Sequence, residues 1–370
     1  MQSSLLKKRK FLIIFILAVF FTFIGFYIVT NNESFYKRNI ARIVSISEKS
    51  INGTDSNGNT EKVINQNITA VIMNGSHKGE KINLQNSISY SKVNDLNLKL
   101  KDEIFVSINV NKNNKIISSK ILDFKRDKYL FYIVVIFLAL IIIVGGLKGF
   151  RSLISLAVNT AIFFIVIELF LNNFSLPFIF IISILMFIPL SMFIVCGLNK
   201  KTLSSTIAAI ISTVITMLIA IIIININGSK GVHFEELEFL THPPEKIFYI
   251  ELLIGTLGGI MDIAISISAP ITEIYIKNPD IEKKSLIKSG MEIGKDIMGT
   301  MSNTLIFAYM SGSIPTILLL LRNKLPIYNI FGEYLSLEIM RALTGSIGIV
   351  LSIPISIFIT VILLKNEEIK

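Results

Sequence analysis

The residues of this chain whose types and spacing suit chemistry are acids set inside apolar sequence. Asp262 stands in Gly258-Gly259-Ile260-Met261-Asp262-Ile263-Ala264-Ile265-Ser266-Ile267-Ser268-Ala269-Pro270, and Glu273 follows closely. On a helix turning about 100° per residue, Asp262, Ser266 and Glu273 project from nearly one face. Pro270 removes the amide that would bond to the Ser266 carbonyl, which predicts a kink and a free acceptor there. A second polar face follows in Gly294-Lys295-Asp296-Ile297-Met298-Gly299-Thr300-Met301-Ser302-Asn303-Thr304, where Asp296, Thr300, Asn303 and Phe307 align. Gly255-x-x-x-Gly259 permits close approach of a neighbouring backbone. These six residues, Asp262, Ser266, Glu273, Asp296, Thr300 and Asn303, are the candidate site for an ion or small solute.

An ionisable side chain at the centre of a bilayer costs about 2.5–3.5 kcal/mol on insertion scales, and its presence marks function by default. No Lys or Arg occupies the core of any apolar run. Asp262 therefore has to be protonated, bind a cation or meet water, all of which suit proton or cation traffic. The competing reading is a protonated Asp that hydrogen-bonds a neighbouring helix as structural glue. Glu168 and Glu251 fall near the ends of their runs, one read as reaching to the interface and the other as lining an entrance.

No catalytic constellation accompanies these acids. There is no H-E-x-x-H, nucleophile elbow, phosphate-binding loop or dinucleotide fingerprint, so neither an enzyme nor a cofactor is expected. His77, His233 and His242 lie in polar segments, and His233-x-Glu235-Glu236 with His242 is too thin a set to predict a metal. Cys196, the single cysteine, excludes an intrachain disulfide and reads as a packing residue.

The elements that must position the acids are membrane helices. The chain has 370 residues, 52% of them apolar, gathered into runs long enough to cross the hydrocarbon. Eight spans are read, at about 11–29, 129–147, 153–171, 177–197, 203–225, 247–270, 298–321 and 343–364. The first follows Lys7-Lys8-Arg9-Lys10 without a small-residue cleavage site, and is read as an uncleaved signal anchor, residues 1–30. Alternating sides from a cytoplasmic N-terminus gives fifteen basic residues in cytoplasmic segments against five in short outer loops. Both termini are expected inside a multi-pass cell-membrane protein. That distribution also turns the net charge of +10 away from nucleic acid and toward membrane lipid.

Two segments outside the spans carry their own pattern. Residues 31–128 alternate apolar and polar residues over short stretches, as in Glu103-Ile104-Phe105-Val106-Ser107-Ile108-Asn109-Val110. Asn52-Gly53, Asn57-Gly58, Asn74-Gly75 and the run from Asn111 to Asn114 punctuate them as turns. A small closed β-barrel of the OB or SH3-like kind outside the cytoplasm is the expected fold, with a disordered tip at 50–60. Residues 277–297 form a basic cytoplasmic connection whose Leu286, Ile287, Met291 and Ile293 predict a short amphipathic helix at the lipid interface. The remaining 129–370 is then a seven-helix transmembrane domain, and the whole is mainly α. Ser152 and Ser155, and Ser204 and Ser205, open two spans alike, a faint sign of a duplicated hairpin.

The polar stretches of the sixth and seventh spans also resemble a known family. Gly258 to Ser268 with Ile271-Thr272-Glu273-Ile274, and Gly294 to Leu305 with Ala308-Tyr309 and Pro315, are similar to the central signature of the bacterial YibE/F-like membrane proteins. Glu338-Ile339-x-Arg341-Ala342-Leu343-x-Gly345-Ser346-Ile347-Gly348 looks like its C-terminal block, and residues 68–86 resemble its outer domain. Pro270 departs from the small polar residue that the resemblance leads one to expect. The resemblance implies fold and membrane location, not a biochemical activity. Two functions remain open from the sequence. One is a transporter or permease-like protein using Asp262 as coupling or binding carboxylate. The other is a non-transporting envelope scaffold or assembly factor whose outer domain binds an envelope protein partner, or a homo-oligomer.

Overall fold

Period-two alternation between residues 39 and 124 builds a sheet, and long apolar runs after residue 126 build helices. The computed structural model describes residues 22–54, 60–89, 95–112, 114–226, 228, 232–236 and 243–365. The chain divides into two compact units, Met1–Leu147 and Lys148–Lys370. Of the expected signal anchor, residues 22–30 are helical (α1), and 1–21 lie outside the described residues.

The sheet of the first unit comprises β1 (Asn39–Thr54), β2 (Thr60–Ile72), β3 (Lys81–Ile88), β4 (Glu103–Val110) and β5 (Ile116–Phe124). It is antiparallel throughout, in the order β3-β2-β1-β4-β5. Ile43, Ile68, Ile72, Ile82, Leu84 and Ile104 alternate inward to form its core. The barrel expectation is corrected here, because the sheet is open, with β3 and β5 at its two edges. Alternation specifies strands and their inward faces. Closure depends on strand length and shear, which alternation does not encode. Here β1 and β2 form a long hairpin, while β1 meets β4 only over Asn39–Arg42. The expected turn at Asn52-Gly53 lies inside that hairpin, Gly53 opposite Glu61, whereas 55–59, the centre of the expected disordered tip, lie outside the described residues.

Asn74-Gly75 does turn. Gly75 has φ 75°, a region open to glycine, and the Asn74 amide knits the surrounding chain. Its Oδ1 accepts from the Ile40 amide at 2.7 Å, and its Nδ2 donates to the Glu33, Tyr36 and Arg38 carbonyls.

Glu103 anchors the far end of the sheet. Its carboxylate, 3% exposed, receives Lys125 Nζ at 2.8 Å, Arg42 Nη2 at 2.8 Å and Lys128 Nζ at 3.1 Å. Burial alone would raise its pKa, but those three hydrogen-bonded cations hold it at about 2. Beside it, Tyr36 donates to Asp127 Oδ2 at 2.6 Å, which together with burial and the carboxylate charge lifts the phenol to about 12.

The helices that follow are α2 (Asp127–Leu171), α3 (Leu176–Cys196), α4 (Lys200–Ile226), α5 (Pro244–Lys277), α6 (Lys283–Gly312), α7 (Ile314–Arg322) and α8 (Ser336–Lys365). The eight-span expectation is also corrected. Among the described residues five helices are long and apolar enough to cross a membrane, α2 to α5 and α8, or six if the bent pair α6 and α7 counts as one. The expected second and third spans follow one another directly as α2, two helices that meet at a kink at Gly146 (φ 54°, ψ −129°). Gly145-Gly146 with Lys148 and Arg151 reads in sequence as a loop, yet the positive φ of Gly146 turns the chain from one helix into the next without intervening loop residues. The expected seventh span is bent by 52° at Ser313, where Pro315 has no amide to continue the ladder. The amphipathic stretch of 277–297 is helical from Lys283, but it is the first part of α6 and not a separate interfacial helix.

In the second unit α8 packs against α4, α5 and α6. Glycines set that proximity. A Cβ on Gly294 of α6 would collide with Ile353 of α8, and one on Gly345 of α8 with Leu305 of α6. Ile260, Ile263, Ile267 and Ile271 of α5 are fully buried on the opposite side from Asp262.

Candidate functional site

Three carboxylates repeat at eleven-residue intervals along α5: Glu251, Asp262 and Glu273. Eleven residues are three turns plus about 20°, so the three share one flank, and all are exposed. At about 1.5 Å per residue they stand about 16 Å apart, and together they run about 33 Å, the order of the hydrocarbon thickness. Asp262 is thus near the middle of the span, with a carboxylate at each end.

The two ends have different surroundings. Arg341, in the second turn of α8, donates from Nη2 to Glu251 Oε2 at 2.7 Å and from Nη1 to Glu338 Oε1 at 3.0 Å. Its guanidinium lies 5.6 Å from the Phe248 ring centroid, and its Nε is buried without an acceptor. One turn below Glu251, Gly255 leaves room for the Tyr309 hydroxyl of α6, which no side chain there would allow. At the other end Glu273 lines a pocket of about 570 Å³ with Asn199, Lys200, Lys201, Thr272 and Tyr275. Lys365 lies 5.9 Å from the Tyr275 ring centroid beside it.

Between these ends Asp262 makes no hydrogen bond and no ion pair among the described residues, and neither does Ser266. α5 continues as one helix from Pro244 to Lys277 through Pro270, which itself has no amide to donate to the Ser266 carbonyl. On α6, Asp296, Thr300 and Asn303 are exposed along one face, as their spacing predicts. Thr300 Oγ1 donates to its own helix at the Ile297 carbonyl, 2.9 Å, whereas the Asp296 carboxylate and Asn303 amide have no partner among the described residues. No hydrogen bond joins the α5 group to the α6 group. The sites share a side-chain chemistry and a level, not a direct contact.

Two family models match the chain. The YibE/F-like protein model covers residues 133–366, and the YibE/F family N-terminal domain model covers residues 34–124. The chain belongs to the YibE/F-like family. Comparison with curated proteins and with solved structures gives no match. The sequence blocks that resemble the family thus include both Asp262 and Arg341, which the fold places on α5 and α8.

Two features of this YibE/F-like chain escaped the sequence reading. Arg341 counts in sequence as a loop residue, and only the start of α8 at Ser336 shows that it pairs across to Glu251. The second is a hydroxyl seam inside the helical unit. Thr360 of α8 donates to Ser268 Oγ of α5 at 2.9 Å and lies 3.3 Å from Ser204 Oγ of α4, with all three buried. Ser352, Ser356 and Thr360 recur at four-residue spacing, and that periodicity was the available signal. His233 Nδ1 pairs with Glu235 at 2.7 Å, and His242 lies outside the described residues.

Proposed function

We propose that this YibE/F-like protein moves an ion or small solute across the membrane, with Asp262 as the coupling or binding carboxylate, and that it catalyses no covalent reaction. The observation that carries the reading is the unpaired Asp262 midway between Glu251 and Glu273 on one flank of α5. A fixed anion at mid-depth with no resident counter-charge attracts a proton or a metal cation, and the end carboxylates give that cation an approach from either surface. The bent pair α6 and α7 adds support, since interrupted helices supply the irregular backbone that ion and solute sites use.

The test is the thermal stability of purified wild type and Asp262→Asn, with and without monovalent and divalent cations, across pH. A bound cation stabilises by RT ln(1 + [L]/Kd), so about 3 kcal/mol is gained at a hundredfold excess over Kd. Wild type gains stability with one cation or with acidification, and Asp262→Asn loses that gain while folding normally. Equal responses in the two proteins overturn the coupling role.

The scaffold reading has one observation of its own. In the sheet unit a cleft of about 660 Å³ is lined by Ser45, Ser47, Asn67, Asn83, Gln85 and Ser119, hydroxyls and amides suited to a polar partner. If the outer domain serves as a partner site, Asn67→Trp abolishes co-purification of that partner without altering the cation response.

A further inference from the structure

One pocket of the helical unit lies where three membrane helices end together. Lys200 and Lys201 open α4, Glu273, Tyr275 and Ile276 stand near the end of α5, and Leu364 is next to last in α8; all line the pocket of about 570 Å³. Just inside it, the buried hydroxyls of Ser204, Ser268 and Thr360 hold the three helices at one level. Each helix is long and apolar enough to cross a membrane. All three pass from apolar to charged sequence here, at Lys200-Lys201, Lys277 and Lys365. That change puts the pocket at the depth of lipid head groups.

Its walls are of two kinds. On one side stand two lysines and the start of α4, whose unpaired amides add positive charge. On the other, Ile276 is 63% exposed beside Leu364. Two ammonium groups against the single carboxylate of Glu273 leave the lining net positive. The negative ends of α5 and α8 have cations of their own, Lys277 and Lys365. Lys201 pairs with no carboxylate among the described residues. An amphiphilic anion satisfies both walls at once, and basic pockets between membrane helices suit acidic lipid heads.

We propose that this pocket binds an anionic phospholipid, its phosphate against Lys200 and Lys201 and the start of an acyl chain along Ile276 and Leu364. The assignment rests on the pocket alone and stands whether or not a cation passes Asp262.

The chain has no tryptophan, so a single one reports locally. Full-length Ile276→Trp, at the pocket rim, and Ile222→Trp, near the opposite end of α4, are reconstituted in bilayers of brominated phosphatidylglycerol or brominated phosphatidylcholine. Fluorescence quenching then gives the relative affinity of the two lipids at each place. At Ile276→Trp phosphatidylglycerol is preferred at least threefold, and at Ile222→Trp neither lipid is preferred. Adding Lys200→Gln and Lys201→Gln abolishes the preference, whereas Lys201→Arg keeps it. Lys283→Gln with Lys284→Gln, which removes two exposed lysines outside the pocket, also leaves it unchanged. Equal preference at Ile222→Trp, or equal loss with the two control lysines, reduces the effect to general surface charge and overturns the proposal. So does loss of the preference on adding inorganic phosphate, which assigns the lysines to a free anion. A preference that is absent, or that appears only after Glu367→Gln and Glu368→Gln and so gives the pocket to the chain's own acidic end, overturns it as well.

Discussion

In the sheet unit Glu103 is 3% exposed and three cations surround it, whereas on α5 Asp262 stands at mid-span with none. Both are carboxylates withdrawn from bulk water, and in each case the ionised form needs an explanation. At Glu103 the chain supplies it, tying β4, β1 and the start of α2 together through Lys125, Arg42 and Lys128. At Asp262 the supply is left open, although Arg341 on the next helix is spent on Glu251 eleven residues away. A buried charge with its partners built in is architecture. Under the transport reading proposed above, Asp262 is instead left for a mobile cation.

The contrast can be broken from either side, and the largest effect is expected at Glu103. Glu103→Gln leaves Lys125, 1% exposed, as a buried charge whose closest carboxylate is gone. Removing one member of such a pair destabilises by about 3–5 kcal/mol. Hydrogen exchange of β1 and β4 in the full-length protein should show that loss, and unchanged protection would mean the knot is not structural. The same residue sets a pH dependence. Its folded pKa of about 2 lies below the usual 4.5, so its contribution is complete above pH 4.5 and is lost as pH falls toward 2. Protection of the same strands should fall across that window in wild type and not in Glu103→Gln.

A smaller effect is expected where helices meet. Gly294→Val drives a branched side chain against Ile353, and overpacking of this kind costs about 1–3 kcal/mol. The melting temperature in detergent should drop, while the neighbouring Lys295→Ala, on the exposed side, should leave it unchanged. The smallest effect belongs to Asp262 itself. Asp262→Asn removes no contact among the described residues and should alter stability without added cations by less than about 1 kcal/mol. A large loss would make Asp262 structural and erase its difference from Glu103.

Much of this arrangement is legible in the sequence, for identifiable reasons. Apolar runs and period-two alternation report which faces are buried, so α3 to α5, α8 and parts of β2, β3 and β4 follow from residue pattern, whereas β1 runs through the expected turn at Asn52-Gly53. The eleven-residue spacing of Asp262 and Glu273 gives their shared flank without coordinates. What the pattern lacks is long-range. Open and closed sheets have the same alternation, and the edges of this one depend on the brief β1–β4 pairing at Asn39–Arg42. Gly146 reads as a loop because a glycine pair beside charges usually is one, and helix resumption there depends on a single backbone rotation. Arg341 reads as a loop residue because charge, not hydropathy, begins α8. Its pairing with Glu251, 90 residues away in sequence, appears only in three dimensions.

The central claim is that Asp262 carries a cation through the membrane, and flux through reconstituted protein tests it most directly. Wild type and Asp262→Asn are placed in proteoliposomes at equal density, and proton, sodium, potassium and magnesium gradients are imposed in turn. Their dissipation is followed with ion-sensitive dyes. The account predicts that wild type dissipates at least one gradient faster than protein-free vesicles, and that Asp262→Asn falls to the protein-free rate. A mutant that conducts as well as wild type, or a wild type that moves none of the four, would contradict it.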